Sequence, residues 1–136
     1  MRVTVPPCLS RYNDPLVQST ERPYPSVVAA ARNDDHGGNL PRLLQTFLNA
    51  LVAQAHRHRV PVELVPVEWN PPPEKVPLAQ ALRWPADSAP RRVRIITVPP
   101  EVYLRRWLAE VLPLFQMIAR NVGIRRAKGE FILNKH

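Results

Sequence analysis

Polar residues that could bind a ligand follow two of the apolar runs in this sequence. Arg32, Asn33 and Asp34 come directly after the first run, and Glu68 stands near the end of the second. Both runs are typical of buried parallel strands, and ligands of open parallel sheets bind beyond the carboxyl ends of the strands. Asn33 and Asp34 could hydrogen-bond a base or a sugar, and Glu68 could accept hydrogen bonds from a ribose or a base N–H. Composition alone favours a loop of turn-forming residues at the first position and a solvated acid at the second.

Other residues with catalytic or metal-binding potential lack the spacing that such chemistry needs. His56 and His58 are two positions apart on a predicted helix, so they face different directions. His36 adjoins two aspartates in a predicted loop, which is a weak pattern for a cation site. Cys8 is the only cysteine, which excludes an internal disulfide and favours a reducing compartment. No catalytic residue and no metal ligand is therefore predicted in this chain.

The elements that would position these residues alternate between strand and helix. The apolar patterns predict strands at 26–31, 61–69, 92–98 and 131–133, and helices at 40–59 and from 104 toward Gly129. Asn39 is a predicted N-cap, Gly129 is a predicted C′ glycine, and Pro66 predicts a bulge or a local edge in the second strand. This order predicts an α/β fold, a Rossmann-like open parallel sheet of about four strands with helices on its faces.

Length and charge limit the classes of protein to which the chain can belong. Its 136 residues suffice for one domain, predicted at 25–136, and residues 1–24 are predicted to be a flexible N-terminal tail. The net charge of +8 would attract nucleic acid, anionic lipid or phosphorylated ligands, although an arginine-favouring genome gives the same excess. The arginines are scattered and carry no nucleic-acid-binding signature, so nucleic acid is not an expected partner. No transmembrane run and no secretory signal are present, which predicts a cytoplasmic protein.

A family resemblance joins three segments of the chain. Asn121–Gly123, followed by Ala127–Ile132, resembles the segment that precedes the metal-binding Asp-x-Asp of family-2 glycosyltransferases, which have the GT-A fold. Ser26–Asn33 is similar to that family's opening strand, which ends in Pro-Thr-Tyr-Asn, and Val67–Asn70 takes the place of its Val-Asp-Asp-Gly. The resemblance covers about residues 25–133 and implies the nucleotide-binding half of such an enzyme.

The sequence departs from the family pattern at each of these segments. Ala30 and Ala31 replace the usual Pro-Thr, and the second segment keeps Glu68 but loses the second acid and the glycine. Phe131–Leu133 should lead into Asp-x-Asp, and the sequence instead reads Asn134–His136. The resemblance therefore implies a form that ends before its metal motif.

The resemblance also assigns a nucleotide-binding site. It implies that Asn33 and its neighbours border the base, that Glu68 hydrogen-bonds a uridine-like moiety, and that Asn121 lies on a helix along the same cleft. Gly129 and Glu130 would shape the turn into the fourth strand. The implied nucleotide-binding residues are Arg32, Asn33, Asp34, Glu68 and Asn121.

The reaction implied by the resemblance is transfer of a sugar from a nucleotide-diphosphate sugar to an acceptor that the sequence does not identify. The family uses a divalent metal, Mn or Mg, to stabilise the leaving diphosphate as a Lewis acid, and the ligands for that ion are absent from this chain. Little transferase activity is therefore expected of the chain alone. The alternatives are a non-catalytic α/β module that binds a nucleotide or a partner protein and, less favoured, a basic nucleic-acid-binding protein.

Overall fold

The structure, a computed structural model, describes residues 1–4, 23–34, 38–84, 91–103 and 116–135. Strands and helices alternate along these ranges. The strands are β1 (Arg2–Thr4), β2 (Pro25–Ala31), β3 (Val62–Trp69), β4 (Arg91–Val93), β5 (Ile95–Val98) and β6 (Phe131–Lys135). The helices are α1 (Leu40–His58), α2 (Leu78–Ala81), α3 (Pro100–Tyr103) and α4 (Gln116–Ile124).

The strands form one mostly parallel sheet. Its order is β1-β5-β3-β2-β6, and β4 also pairs with β3. The pairs of β3 with β2, β4 and β5 are parallel, as is the pair of β2 with β6, whereas β1 is antiparallel to β5. When β4 and β5 are counted as one strand, the parallel strands follow the order 3-2-1-4 of a doubly wound fold. The predicted α/β class is confirmed, and the order is consistent with a Rossmann-like arrangement.

Helices cover both faces of the sheet. On one face Val27 and Leu64 pack against Leu48 of α1, and on the other Val28 packs against Ala119 of α4. Neighbouring residues of a strand point to opposite faces, so β2, β3 and β5 contribute alternate side chains to the two cores. The faces are called the α1 face and the α4 face below.

Helix α1 begins and ends as its sequence predicts. The Asn39 side chain accepts a hydrogen bond from the Arg42 N–H at 3.2 Å, which confirms the predicted N-cap. Pro41 lies in the first turn, where the missing N–H is harmless. At the other end Arg59 adopts a left-handed φ of 52°, and its N–H bonds to the Ala55 and His56 carbonyls.

Pro66 lies within the central strand β3 without a bulge. The β2–β3 register continues through Pro66, which stands opposite Ala29. On the other side the ladder stops after Leu64 and resumes at Val67, and Arg94 separates β4 from β5 at this gap. Because proline has no N–H to donate, the gap accommodates it. The predicted local edge is therefore found, and it divides the single strand predicted at 92–98.

The amino-terminal segment is more ordered than the predicted tail. Arg2–Thr4 forms β1 at the sheet edge, and the Tyr24 N–H donates to the Pro61 carbonyl at 2.9 Å. A strand of three residues carries no periodicity, so the pattern of residues 1–24 could not indicate it. Residues 5–22 of that predicted tail lie outside the described ranges.

The carboxyl-terminal elements differ from the prediction at one glycine. Helix α4 ends at Ile124, so Gly129 is not its C′ residue and lies instead in the turn before β6. Residues 104–115 of the helix predicted from 104 lie outside the description, and α4 forms the part from Gln116 to Ile124. Strand β6 is confirmed where the sequence places it, at the sheet edge with every residue from Phe131 to Lys135 exposed.

Candidate ligand-binding site

An open pocket of about 360 Å³ lies on the α1 face, near the carboxyl ends of β3 and β5. Strand residues Glu68, Ile95 and Thr97 form its more buried part, and prolines between residues 71 and 77 line another side. The exposed side chains of Arg2 and Lys75 also line it. Pockets for small ligands commonly measure about 300–1,000 Å³, so this one, called the Glu68 pocket below, fits a small molecule or one end of a larger one.

Glu68 is held in this pocket by two hydrogen bonds. Alternation along β3 places it on the same face as Leu64, and it is 2% exposed. Its Oε1 accepts the Leu78 N–H at 2.8 Å, and its Oε2 accepts the Thr97 hydroxyl at 3.2 Å. Burial raises the pKa of Glu68, and the bonds from Leu78 and Thr97 partly offset that effect. The neutral acid therefore persists to higher pH than in an exposed glutamate, and in that form it can donate a hydrogen bond to a ligand.

The residues that follow β2 hold the segment after β3 in place. Arg32 Nε donates to the Asn70 carbonyl at 2.8 Å, and Arg32 Nη1 forms a 2.7 Å salt bridge with Asp34 Oδ2. Asn33 is 4% exposed, and its Nδ2 donates to the Val76 carbonyl at 2.9 Å. These bonds fix both ends of residues 70–77, which we call the proline loop.

Four of the predicted site residues therefore lie in one region of the fold, although they are connected mainly by their contacts with the proline loop and less by contacts with one another. Glu68 lines the pocket and bonds to Leu78, directly after the proline loop. Arg32 and Asn33 follow β2, the neighbour of β3 on the side away from β5, and they bond to the loop itself. Asp34 acts through Arg32. We conclude that Arg32, Asn33 and Asp34 position one wall of the pocket and that Glu68 belongs to the pocket itself.

Asn121 is not brought into this group. It lies exposed on α4, which packs on the α4 face, opposite the Glu68 pocket. The strand order reverses between β2 and β6, and residues 35–37 and 136, which follow those strands, lie outside the description. The pocket accordingly sits over β3, β5 and β1 and not at the point of reversal.

Of the residues that line the pocket, only Glu68 was a predicted site residue, and Thr97, Arg2 and Lys75 are among those that were not. Alternation along the strand at 95–98 places Thr97 on the face of Ile95, so a signal for Thr97 existed. Arg2 gave no signal because its strand has only three residues. Lys75 gave none because it lies in an irregular loop whose path depends on Asn33 and Glu68.

A second buried acid lies on the α4 face, away from the pocket. Glu63 is fully buried, and its Oε1 accepts two hydrogen bonds from the Arg94 guanidinium, of which the Nε bond measures 2.9 Å. Its Oε2 accepts the Ser26 hydroxyl at 2.5 Å and the Lys128 N–H at 2.7 Å. The Gly129 N–H donates to Ser26 Oγ at 2.8 Å. This set, the Glu63 network, attaches the turn before β6 to β2 and β3.

The two glycines of the carboxyl-terminal motif are required by close packing. A Cβ at Gly123 would lie 2.5 Å from Val28 Cγ1 and 2.9 Å from Val67 Cγ2. A Cβ at Gly129 would lie 2.6 Å from both the backbone nitrogen and the hydroxyl of Ser26. These distances are all shorter than the non-bonded contacts that a Cβ atom makes in proteins. Helix α4 and the turn after it can therefore approach the sheet only because these positions lack side chains.

Two further properties follow from the described ranges. Within them, no three His, Cys, Asp or Glu side chains gather in a way that could hold a metal ion. No helix in that part of the chain is both long and apolar enough to cross a membrane. Among the residues that the structure describes, the donor set that a divalent cation prefers is thus not found around the Glu68 pocket.

No protein-family model, no curated protein and no solved structure matches this chain. The fold and the pocket define its class by themselves. It is an α/β domain with a mostly parallel sheet and a pocket of mixed polar and apolar lining near the carboxyl ends of two parallel strands.

The pKa of Glu68 leads to a prediction about stability. The folded protein holds this proton more tightly than the unfolded chain, so stability should fall as the pH rises from the ordinary glutamate pKa through the raised folded pKa. Glu68→Gln keeps the shape and an acceptor for the Leu78 N–H but removes the titration. Urea unfolding of both proteins from about pH 4 to about pH 8 should show the glutamine variant gaining relative stability with rising pH.

Two controls define this result. Glu74→Gln changes an exposed glutamate of the proline loop and should leave the pH profile unaltered. Glu68→Ala also lacks the titrating group but leaves the Leu78 N–H without its acceptor, so it should be less stable than Glu68→Gln by about 1–3 kcal/mol at every pH. A stability difference between the wild type and Glu68→Gln that does not vary with pH would show that Glu68 titrates like a solvated acid.

Proposed function

We propose that this chain is the nucleotide-sugar-binding portion of a glycosyltransferase of the family-2 type and that the Glu68 pocket receives the nucleotide end of the donor. The observation that carries the proposal is the placement of Glu68. A buried acid near the end of the second parallel strand lines a pocket that can hold part of a nucleotide, within a sheet of order 3-2-1-4. This is the strand end to which the resemblance assigns the residue that contacts a uridine-like base.

The carboxyl-terminal motif supports the same proposal. Gly123 and Gly129 belong to the segment that resembles the family, and each lies where a side chain would clash with the sheet. The motif therefore has a physical role in this chain, which is to dock α4 and β6 closely against β2. Close packing of α4 and β6 fixes the position of β2, and the residues that follow β2, Arg32 and Asn33, bond to the proline loop that lines the pocket.

The proposal is limited to donor binding. The resemblance assigns metal coordination to an Asp-x-Asp after Leu133, and this sequence has Asn134–His136 there. Glu68, Thr97 and the proline loop can bind and orient a nucleotide, but they offer no carboxylate pair for a metal-assisted departure of the diphosphate. The acceptor and the sugar are not specified by any described residue.

A non-catalytic nucleotide-binding module is the second candidate function. The observation that favours it is the use of Arg32 and Asn33 to hold the proline loop, because their polar atoms are then engaged by the chain itself. Such a module would bind a nucleotide without preferring its sugar derivative. A nucleotide-sugar-binding portion should bind the sugar derivative at least as tightly as the free diphosphate.

The test is a calorimetric titration with UDP, UDP-glucose and UDP-N-acetylglucosamine, with GDP and ADP for comparison. We expect binding of one nucleoside diphosphate class and its sugar derivative. Gln80→Trp, which enlarges an exposed residue of the pocket lining, should weaken that binding about tenfold or more. Glu74→Trp, on an exposed loop residue that does not line the pocket, should leave it unchanged. Failure of all of these nucleotides to bind would overturn the proposed function.

A further inference from the structure

We propose that Arg2 and Lys75 bind the phosphate groups of the nucleotide, so that binding in the Glu68 pocket needs no divalent metal ion. This inference rests on the proposed function and goes beyond it, because it assigns phosphate binding to residues outside every motif of the sequence. The charges of the residues that line the pocket are the first observation that supports it.

The pocket lining carries an excess of positive charge. Among the described residues that line the pocket, Arg2 and Lys75 are cationic and Glu68 is acidic. Glu68 is buried beside the strand residues, whereas Arg2 and Lys75 are exposed. An anionic ligand is therefore favoured at the open side of the pocket, and an uncharged ring is favoured deeper, beside the strand residues.

The two cations reach the pocket from different elements. Arg2 stands opposite Thr97 in the antiparallel β1–β5 pair, so the two side chains share a face and are cross-strand neighbours. Lys75 lies in a turn of the proline loop, where its N–H donates to the Pro72 carbonyl at 3.1 Å. A phosphate group on the open side would thus meet a guanidinium from the sheet edge and an ammonium from the loop. The Thr97 hydroxyl adds a third polar group between them and Glu68.

The chemistry of these groups suits a diphosphate. A guanidinium offers paired N–H donors that match phosphate oxygens, and an ammonium adds a compact positive charge. Together they place two positive charges against the diphosphate, which is the electrostatic role that a divalent cation has elsewhere. This arrangement gives strand β1 a function, since without it Arg2 would not face the pocket.

The experiment compares ligands that differ only in phosphate content. The best-binding nucleoside diphosphate of the calorimetric screen, its monophosphate, its nucleoside and inorganic pyrophosphate are titrated in EDTA and again with Mn²⁺. We expect the diphosphate to bind equally well in both buffers and more weakly as salt is added. Arg2→Gln and Lys75→Gln should each weaken diphosphate binding about tenfold and leave nucleoside binding unchanged. Arg57→Gln, an exposed arginine in the last turn of α1, is the matched control and should have no effect.

The outcomes separate this inference from the proposed function. If the diphosphate binds only with Mn²⁺, and Arg2→Gln and Lys75→Gln bind like the wild type, the inference is overturned while the proposed function stands. If no nucleotide binds in either buffer, the proposed function fails and the inference fails with it. Pyrophosphate that binds as tightly as the nucleotide, with the same sensitivity to Arg2→Gln, would confirm the phosphate contact and place no base in the pocket, which would contradict the proposed function alone.

Discussion

Replacement of Glu63 by alanine is expected to destabilise the folded protein by about 3–5 kcal/mol, the range found when one partner of a buried ion pair is removed. Glu63 is fully buried, and the 17%-exposed Arg94 side chain donates to it twice. Its loss would leave a largely buried guanidinium without its carboxylate. It would also leave the Ser26 hydroxyl and the Lys128 N–H without their acceptor. Chemical unfolding of the wild type and Glu63→Ala measures the effect.

Glu63→Gln offers a sharper comparison. The carboxylate receives hydrogen bonds at both oxygens, from Arg94 at one and from Ser26 and Lys128 at the other. An amide has one oxygen, so its NH₂ group must face donors in either orientation. We therefore expect Glu63→Gln to be clearly destabilised, although less than Glu63→Ala. Exposed Glu74→Ala should change stability by no more than about 0.5 kcal/mol, and a similarly small effect of Glu63→Ala would contradict the network.

The Glu63 network also predicts where the molecule loosens. Lys128 and Gly129 connect the network to the turn before β6, and among the described strands β6 pairs with β2 alone. In Glu63→Ala the β6 amides should exchange hydrogen faster than in the wild type, while those of α1 should change less. This pattern distinguishes a local anchor from a general loss of stability.

Much of the fold could be predicted because its central elements have strong local patterns. Continuous apolar runs indicated β2 and β3, and the helical spacing with Asn39 at its start indicated α1. Pro66 indicated a bulge or a local edge in β3, because a missing donor has a local consequence, but it did not indicate that the strand predicted at 92–98 is divided. These features depend on neighbours in sequence, which is why they could be predicted.

The features that could not be predicted depend on contacts between distant residues. Gly129 looks like a helix-ending glycine, but its actual role is to lie against Ser26, 103 positions earlier in the chain. The Glu63 network joins four segments that no spacing rule connects. In the same way Arg2 reaches the pocket only because β1 pairs with β5, which three residues of sequence cannot indicate.

The candidate site also combines features that depend on neighbouring residues with features that depend on contacts between distant residues. Glu68 could be predicted because its position near a strand end is a local property, and Arg32 and Asn33 could be placed after β2 for the same reason. Their hydrogen bonds to the proline loop could not, since these depend on how that loop folds back. Asn121 came from the resemblance alone, and the structure places it on the opposite face of the sheet from the Glu68 pocket.

Gly129→Ala is expected to destabilise the protein by about 1–3 kcal/mol, the usual cost of overpacking, although it adds only one methyl group. The new Cβ would lie 2.6 Å from Ser26 N and Oγ and 2.9 Å from the carbonyl carbon of Pro25. Most of these atoms belong to the backbone of β2, so they cannot rotate away. The turn would have to withdraw, which would break the Gly129 N–H bond to Ser26.

Two variants on α4 calibrate this effect. Gly123→Ala would meet Val28 and Val67, whose methyl groups are side-chain atoms and can yield slightly, so we expect a smaller loss than for Gly129→Ala. Asn121→Ala changes an exposed residue of the same helix and should be nearly neutral. If thermal or urea unfolding shows the same small loss of stability for Gly129→Ala as for Asn121→Ala, the turn does not pack closely against β2.

The double variant Glu63→Ala/Gly129→Ala tests whether the two effects have one cause. Each change detaches the turn before β6, the first by removing the acceptor of Lys128 and Ser26, the second by pushing Gly129 away from Ser26. Once the turn is detached, the second change has less left to disrupt, so the double loss should fall short of the sum by about 0.5 kcal/mol or more. Additive losses would mean that Gly129 and Glu63 stabilise separate parts of the sheet. A shortfall would show that the Glu63 network and Gly129 act together to hold the turn before β6 against β2. These are the two strands between which the strand order reverses.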